Sequence, residues 1–97
     1  MILVGIDIGK HQHIFSILDK QTGEILSNPS VFHNNQEGFL LLIRKLNSYA
    51  KSQLLIGMED TGHYHFALLK YLLDRHYTVA LINPTTTDLT RKLQGGI

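Results

Sequence analysis

MILVGIDIGKHQH, Met1 to His13, is the stretch on which the fold turns. Its first eight residues are apolar apart from Gly5 and Asp7. Ile2, Val4, Ile6 and Ile8 fall on one face of a strand and Leu3 on the other, which is how a central strand covered on both sides reads. Aspartate is depleted in strand interiors and costly to bury without a partner. Either Asp7 is satisfied by its neighbours, or the strand serves to hold that carboxylate still.

Working outward, Gly9-Lys10 predicts a turn, and His13–Asp19 alternates, with Ile14 and Leu18 on one face and Phe15 and Ile17 on the other. DKQTGE (19–24) predicts a hairpin turn with Gly23 available for positive φ. Ile25–Phe32 predicts a third strand, and Pro29 within it points to an edge or a bulge. Three strands joined by short links make an antiparallel meander. The period then lengthens. Asn34-x-x-Glu37 resembles a capping box, and Phe39, Leu42, Ile43 and Leu46 recur at helical spacing up to about Ala50. LLIGM (54–58) predicts a short buried strand. Thr61 or Gly62 then caps a second helix with an apolar stripe of Phe66, Leu69 and Leu73, running to Arg75. TVALI (78–82) predicts another buried strand, and Asn83-Pro84 starts a last helix that the glycines of QGGI stop. The order β-β-β-α-β-α-β-α predicts an α/β domain over residues 1–97, with a mixed sheet and helices on both faces.

Composition narrows the function. Nine basic against eight acidic side chains leave no basic arm for a polyanion, so any nucleic-acid contact must come from local placement. With no cysteine, disulfides and thiolate metal sites are excluded, consistent with a cytoplasmic chain. No apolar run approaches the roughly 18 residues of a membrane span, and no basic region precedes the first apolar run as a signal peptide requires.

Two carboxylates stand out by position: Asp7 in the first strand and Glu59 directly after LLIGM. Sites in such sheets gather beyond the carboxyl ends of strands, so parallel pairing of the first and fourth strands would bring both acids to one end. Paired oxygen ligands suit Mg²⁺ or Mn²⁺, which hold phosphate oxygens and activate an attacking water or hydroxyl. Gly5, Gly9, Gly57 and Gly62 allow close approach of a ligand. Either acid taken alone is also explained as a partner of a nearby turn or cap. The six histidines argue weakly for zinc. His11 and His13 share a side only if both lie on a strand, whereas His63 and His65, if helical, diverge by about 200°, and no His-Glu-x-x-His occurs. His63, close after Glu59, can still line a site. Lys10 can meet a phosphate or simply sit solvated in its turn, and Arg91 and Lys92 can complement a helix dipole. Asp60 and Asp88 read as a loop acid and a solvated helix acid. No Gly-x-Ser-x-Gly, P-loop or Gly-x-Gly-x-x-Gly is present, and Tyr64, Tyr71 and Tyr77 read as packing residues.

GIDIGKHQH (5–13), GMEDTGHYH (57–65) and ALINPTTTDLTRK (80–92) together resemble the N-terminal domain of Piv/MooV-like DEDD transposases of bacterial insertion sequences, family one-hundred-and-ten. The likeness runs over essentially the whole chain. Its most specific part is Met58-Glu59-x-Thr61-Gly62-x-Tyr64, followed by Asn83-Pro84. It implies an RNase H-like (RuvC-like) fold in which four acids, Asp-Glu-Asp-Asp, bind divalent metal and act on DNA. Asp7 would be the first acid and Glu59 the second, with Gly9, Lys10, Thr61, Gly62 and His63 lining the site and Lys10, Arg91 and Lys92 meeting nucleic acid. The other two acids belong to a Lys-Thr-Asp-x-x-Asp motif that this chain lacks, and Asp88, inside the preceding helix, does not replace them. The expectation is a truncated domain, inactive alone, with weak Mg²⁺ or Mn²⁺ binding, and with DNA, an element-encoded guide RNA and further copies of itself as partners. Two other readings stay open. One is an actin- or sugar-kinase-like ATPase lobe, although Lys-His-Gln-His is poor in the Ser, Thr and Gly of a phosphate-gripping turn. The other is a non-catalytic assembly module.

Overall fold

A computed structural model describes residues 1–59 and 62–82. Five strands, β1 (Ile2–Asp7), β2 (Gln12–Asp19), β3 (Ile25–His33), β4 (Leu54–Glu59) and β5 (Val79–Ile82), form one sheet in the order β3-β2-β1-β4-β5. β1 is central. It pairs antiparallel with β2, which pairs antiparallel with β3, and it pairs parallel with β4, which pairs parallel with β5. Helix α1 (Gln36–Leu46) and a short 3-10 turn (Lys51–Gln53) lead into β4, and α2 (Phe66–Asp74) leads from β4 towards β5. The meander followed by parallel crossovers is the mixed architecture the apolar periods predict.

Alternation sorts the sheet into two faces. Val4 and Ile6 of β1, His13, Phe15 and Ile17 of β2, and Leu54, Ile56 and Met58 of β4 are all buried. They share a core with Phe39, Leu42 and Leu46 of α1 and Leu68 and Leu72 of α2. The helices also touch one another, the Phe39 and Tyr71 rings lying 5.2 Å apart. Both described helices therefore cover the same face. On the other face Gly5 and Asp7 are exposed, Leu3 is half-buried, and Ile14 and Val31 are 37% and 48% exposed. The helix expected after Asn83-Pro84 lies outside the described residues, and so does the expectation that the second face is covered.

The hairpin joining β2 to β3 forms where it was expected. Asp19 Oδ1 accepts the backbone N–H groups of Gln21 and Thr22 at 2.8 and 3.3 Å. The Gly23 N–H returns to the Asp19 carbonyl at 2.7 Å, and Gly23 takes φ +77°, a conformation that costs little without a Cβ. β3 is an edge strand, and its register with β2 shifts on either side of Ile17, as a strand containing Pro29 must accommodate.

Two helix starts differ from expectation. The cap of α1 is Asn35, whose side chain accepts the Gly38 N–H at 2.8 Å; Asn34, one residue earlier, is engaged elsewhere. A Cβ on Gly38 would come within 2.6 Å of the His33 backbone nitrogen, so close packing of the helix entry against the end of β3 sets the boundary. α2 begins at Phe66, after His65, because Gly62 and His63 both take positive φ (66° and 68°) in the preceding turn, which a right-handed helix cannot include. The expected apolar stripe shifts accordingly. Leu68 and Leu72 are fully buried, Leu69 is partly buried, and Phe66 and Leu73 are 56% and 50% exposed. Every candidate residue in this helix is apolar, so composition could not select the inward face.

Candidate active site

The site grows from the β1–β4 pairing. The two strands run parallel in register, Val4 beside Ile56, Gly5 beside Gly57 and Ile6 beside Met58. Asp7 and Glu59 are each the last residue of their strand. One further step along the register sets them side by side at the carboxyl edge, on strands about 4.8 Å apart. Ile6 and Met58 are buried in the core, so parity turns Asp7 and Glu59 to the opposite face. Asp7 is exposed and Glu59 half-buried. The strand thus holds its acid without burying it, which resolves the conflict between an apolar strand and a central carboxylate.

The floor between the acids is small. A Cβ on Gly5 would meet nothing closer than Ser16 Oγ at 3.9 Å, and one on Gly57 would touch Ile82 Cδ1 at 3.4 Å. Gly57 is covered by the Ile82 side chain rather than open to a ligand. Gly9 differs, since a Cβ there would collide with the Gln12 carbonyl oxygen. The turn after β1 is therefore tight, and it shapes a cleft lined by Asp7, Gly9, Lys10, His11 and Gln12, with Ile14 beside them. Lys10 and His11 are exposed on its rim.

The histidines separate. His11 precedes β2 and is exposed, whereas His13 is wholly buried. His63 is exposed and stacked on Phe66, with ring centroids 5.5 Å apart and planes 5° from parallel, and His65 is buried. Among the described residues no group of three or more His, Cys, Asp or Glu side chains is placed to hold a metal ion. The donor set at the sheet edge is two carboxylates, which suits a hard divalent cation that keeps most of its water and not zinc. Gly62 lies in the positive-φ turn after β4. Thr61, Asp60, Asp88, Arg91 and Lys92 fall outside the described residues. Tyr71 and Tyr77 pack as expected, Tyr77 being 5% exposed with its hydroxyl pKa raised by burial. Tyr64 is 43% exposed and contributes its carbonyl to the loop.

Sequence reasoning missed two residues that hold the turn after Asp7. The Gly9 N–H donates to His13 Nδ1 at 3.1 Å, and Asn34 Nδ2 donates to the carbonyls of Lys10 at 3.1 Å and, more weakly, Tyr64 at 3.4 Å. The Asn34 N–H donates to the His11 carbonyl at 2.9 Å. A signal for His13 was present, because it shares parity with Phe15 and Ile17 and so belongs to the core face. None pointed to Asn34, whose partners are 24 and 30 residues away.

Comparison with known proteins agrees with this fold. Among solved structures, *Thermus thermophilus* RuvC bound to a Holliday junction substrate matches with TM-score 0.64 and 13% identity, over 88% of this chain and 66% of that one. The fowlpox virus Holliday junction resolvase matches at TM-score 0.55 and 16% identity, over 95% and 67%, and its complex with junction DNA at 0.56 and 19%, over 97% and 70%. The chain spans about two-thirds of the length of these structures. At such identities the likeness establishes the RuvC-like, RNase H-like fold. No curated protein matches the chain. The family model for transposases of the DEDD type, insertion-sequence family one-hundred-and-ten, matches residues 4–96. This chain therefore belongs to the DEDD transposase family and carries its RuvC-like fold.

Proposed function

We propose that Asp7 and Glu59 are two acids of a divalent-metal centre that acts on the phosphodiester backbone of DNA during transposition. The observation that carries this reading is the parallel register of β1 and β4, which sets the two carboxylates side by side on the face away from the two described helices. Two like charges held together at a sheet edge repel one another, so the arrangement works against stability unless a cation joins them. Mg²⁺ or Mn²⁺ bound there would offset the charge of the phosphate under attack. Asp7 and Glu59 would supply the oxygens, β1 and β4 would fix their spacing, and Lys10, exposed on the rim, would meet a neighbouring phosphate. The cleft beside Asp7 would receive the DNA strand.

Two carboxylates hold Mg²⁺ weakly, since that ion demands near-ideal octahedral placement and gives up water reluctantly. On this reading these 97 residues alone bind Mn²⁺ weakly and do not cleave DNA. The test is incubation with supercoiled DNA carrying the element ends, with and without Mn²⁺. No nicking is expected. Metal-dependent cleavage that Asp7→Ala abolishes would overturn the expected inactivity while supporting the site. Mn²⁺ binding untouched by both Asp7→Ala and Glu59→Ala would overturn the site itself.

A further inference from the structure

Asp7 and Glu59 end neighbouring strands, and the chain leads from one into β2 and from the other towards α2. Four hydrogen bonds act here: three hold the turn after Asp7, and one, from the Asn34 amide, reaches the loop before α2. Gly9 N–H donates to His13 Nδ1, and the Asn34 N–H donates to the His11 carbonyl. Asn34 Nδ2 donates to the carbonyls of Lys10, in the turn after Asp7, and of Tyr64, in the loop before α2. These two acceptors fix the orientation of the amide, leaving Oδ1 turned inward, where it is buried. Because Nδ1 accepts from Gly9, the neutral imidazole carries its proton on Nε2. That nitrogen is buried too. The Phe32 ring, 5.2 Å from the His13 ring, backs the arrangement.

We infer that His13 and Asn34 are positioning residues, a clamp in which His13 holds the turn after Asp7 from within and the Asn34 amide ties that turn to the loop at Tyr64, together setting the separation of the two acids. Neither side chain reaches the carboxylates; each acts on the backbone that carries them. The clamp's service to metal rests on the proposed function, but the clamp itself does not. Outer groups of this kind, which hold ligands in place, typically alter metal affinity by about 10- to 100-fold when lost.

The test uses the ¹⁵N-labelled 97-residue chain and two NMR readouts. Amide hydrogen exchange at Gly9 and Asn34 reports the clamp, and paramagnetic broadening by Mn²⁺ around Asp7 and Glu59 reports the site. His13→Leu and Asn34→Leu keep bulk and remove the polar atoms, and His13→Asn restores an acceptor for Gly9. The expected result is exchange about tenfold faster at Gly9 and Asn34 in the two leucine variants, with the central amides of Val4 and Phe15 unchanged. About tenfold more Mn²⁺ should then be needed for the same broadening, with recovery in His13→Asn. A uniform rise across the sheet, or an unchanged Mn²⁺ requirement, overturns the inference. If the wild-type chain shows no broadening at Asp7 and Glu59, the metal reading fails. The clamp is then judged on exchange alone, supported by a local rise and overturned by a uniform or absent one. Should the variants not fold, the His13 ¹⁵N shifts of the wild type decide: an Nε2–H tautomer near pH 7 supports the clamp, and an Nδ1–H or charged ring overturns it.

Discussion

The inward face of α2 can be tested by truncating one leucine from each side of the helix. Leu68 is wholly buried against the sheet and Leu73 is 50% exposed, yet both are leucines in the same nine-residue helix, so propensity changes cancel between them. Leu68→Ala removes buried methyl groups and leaves a cavity, a loss of about 3–5 kcal/mol in comparable core sites. Leu73→Ala removes atoms that are half in water already, and half of the usual transfer term gives under about 1 kcal/mol. With a urea m-value of about 1.5 kcal/mol/M, reasonable for a small domain, Leu68→Ala should lower the midpoint by about 2–3 M, while Leu73→Ala moves it by less than about 0.7 M. A domain whose total stability is about 5–15 kcal/mol would feel the first change as a large fraction of the whole. The assay is urea denaturation followed by far-ultraviolet circular dichroism. Equal shifts, or a larger one for Leu73→Ala, would refute the assigned face and return the Phe66–Leu69–Leu73 stripe to the core.

Three further outcomes are expected. Asp7→Asn, at an exposed position beside another carboxylate, should leave thermal stability unchanged or raise it slightly by removing a like-charge neighbour; a fall of several degrees would mean that the acid serves the fold. Gly38→Ala should cost at least about 1–3 kcal/mol, because its Cβ is driven into the His33 backbone, and a melting temperature within a degree of wild type would contradict that packing. Burial holds the His13 pKa below its ordinary 6.5, so in acid the unfolded chain takes up this proton first. His13's contribution is therefore complete above pH 6.5 and is lost as pH falls through its lower folded value. His13→Asn should flatten this part of the stability profile between pH 7 and 5, as read by urea midpoints at each pH, and an unaltered slope would show that His13 does not carry it.

Much of this protein was legible in the chain itself. Strand and helix periods marked five strands and two helices among the described residues, because alternation and the 3.6-residue repeat are local consequences of where Cβ points. Asp7 was conspicuous as a carboxylate within an apolar strand, and Glu59 as one directly after a buried strand; the structure makes each the last residue of its strand. Their adjacency was conditional on β1 and β4 being parallel neighbours, and only the sheet order supplied that. The inward face of α2 needed tertiary structure for a different reason: Phe66, Leu68, Leu69, Leu72 and Leu73 are all apolar, and only packing chooses among equals. Asn34 lay furthest from reach. Read locally, Asn34-x-x-Glu37 is a good helix cap, but the neighbouring Asn35 takes that role and Asn34 bonds to carbonyls 24 and 30 residues away. Sequence determines which groups are able to donate, accept or carry charge. Which of them meet is decided by the sheet, since register brings together residues that the chain keeps apart.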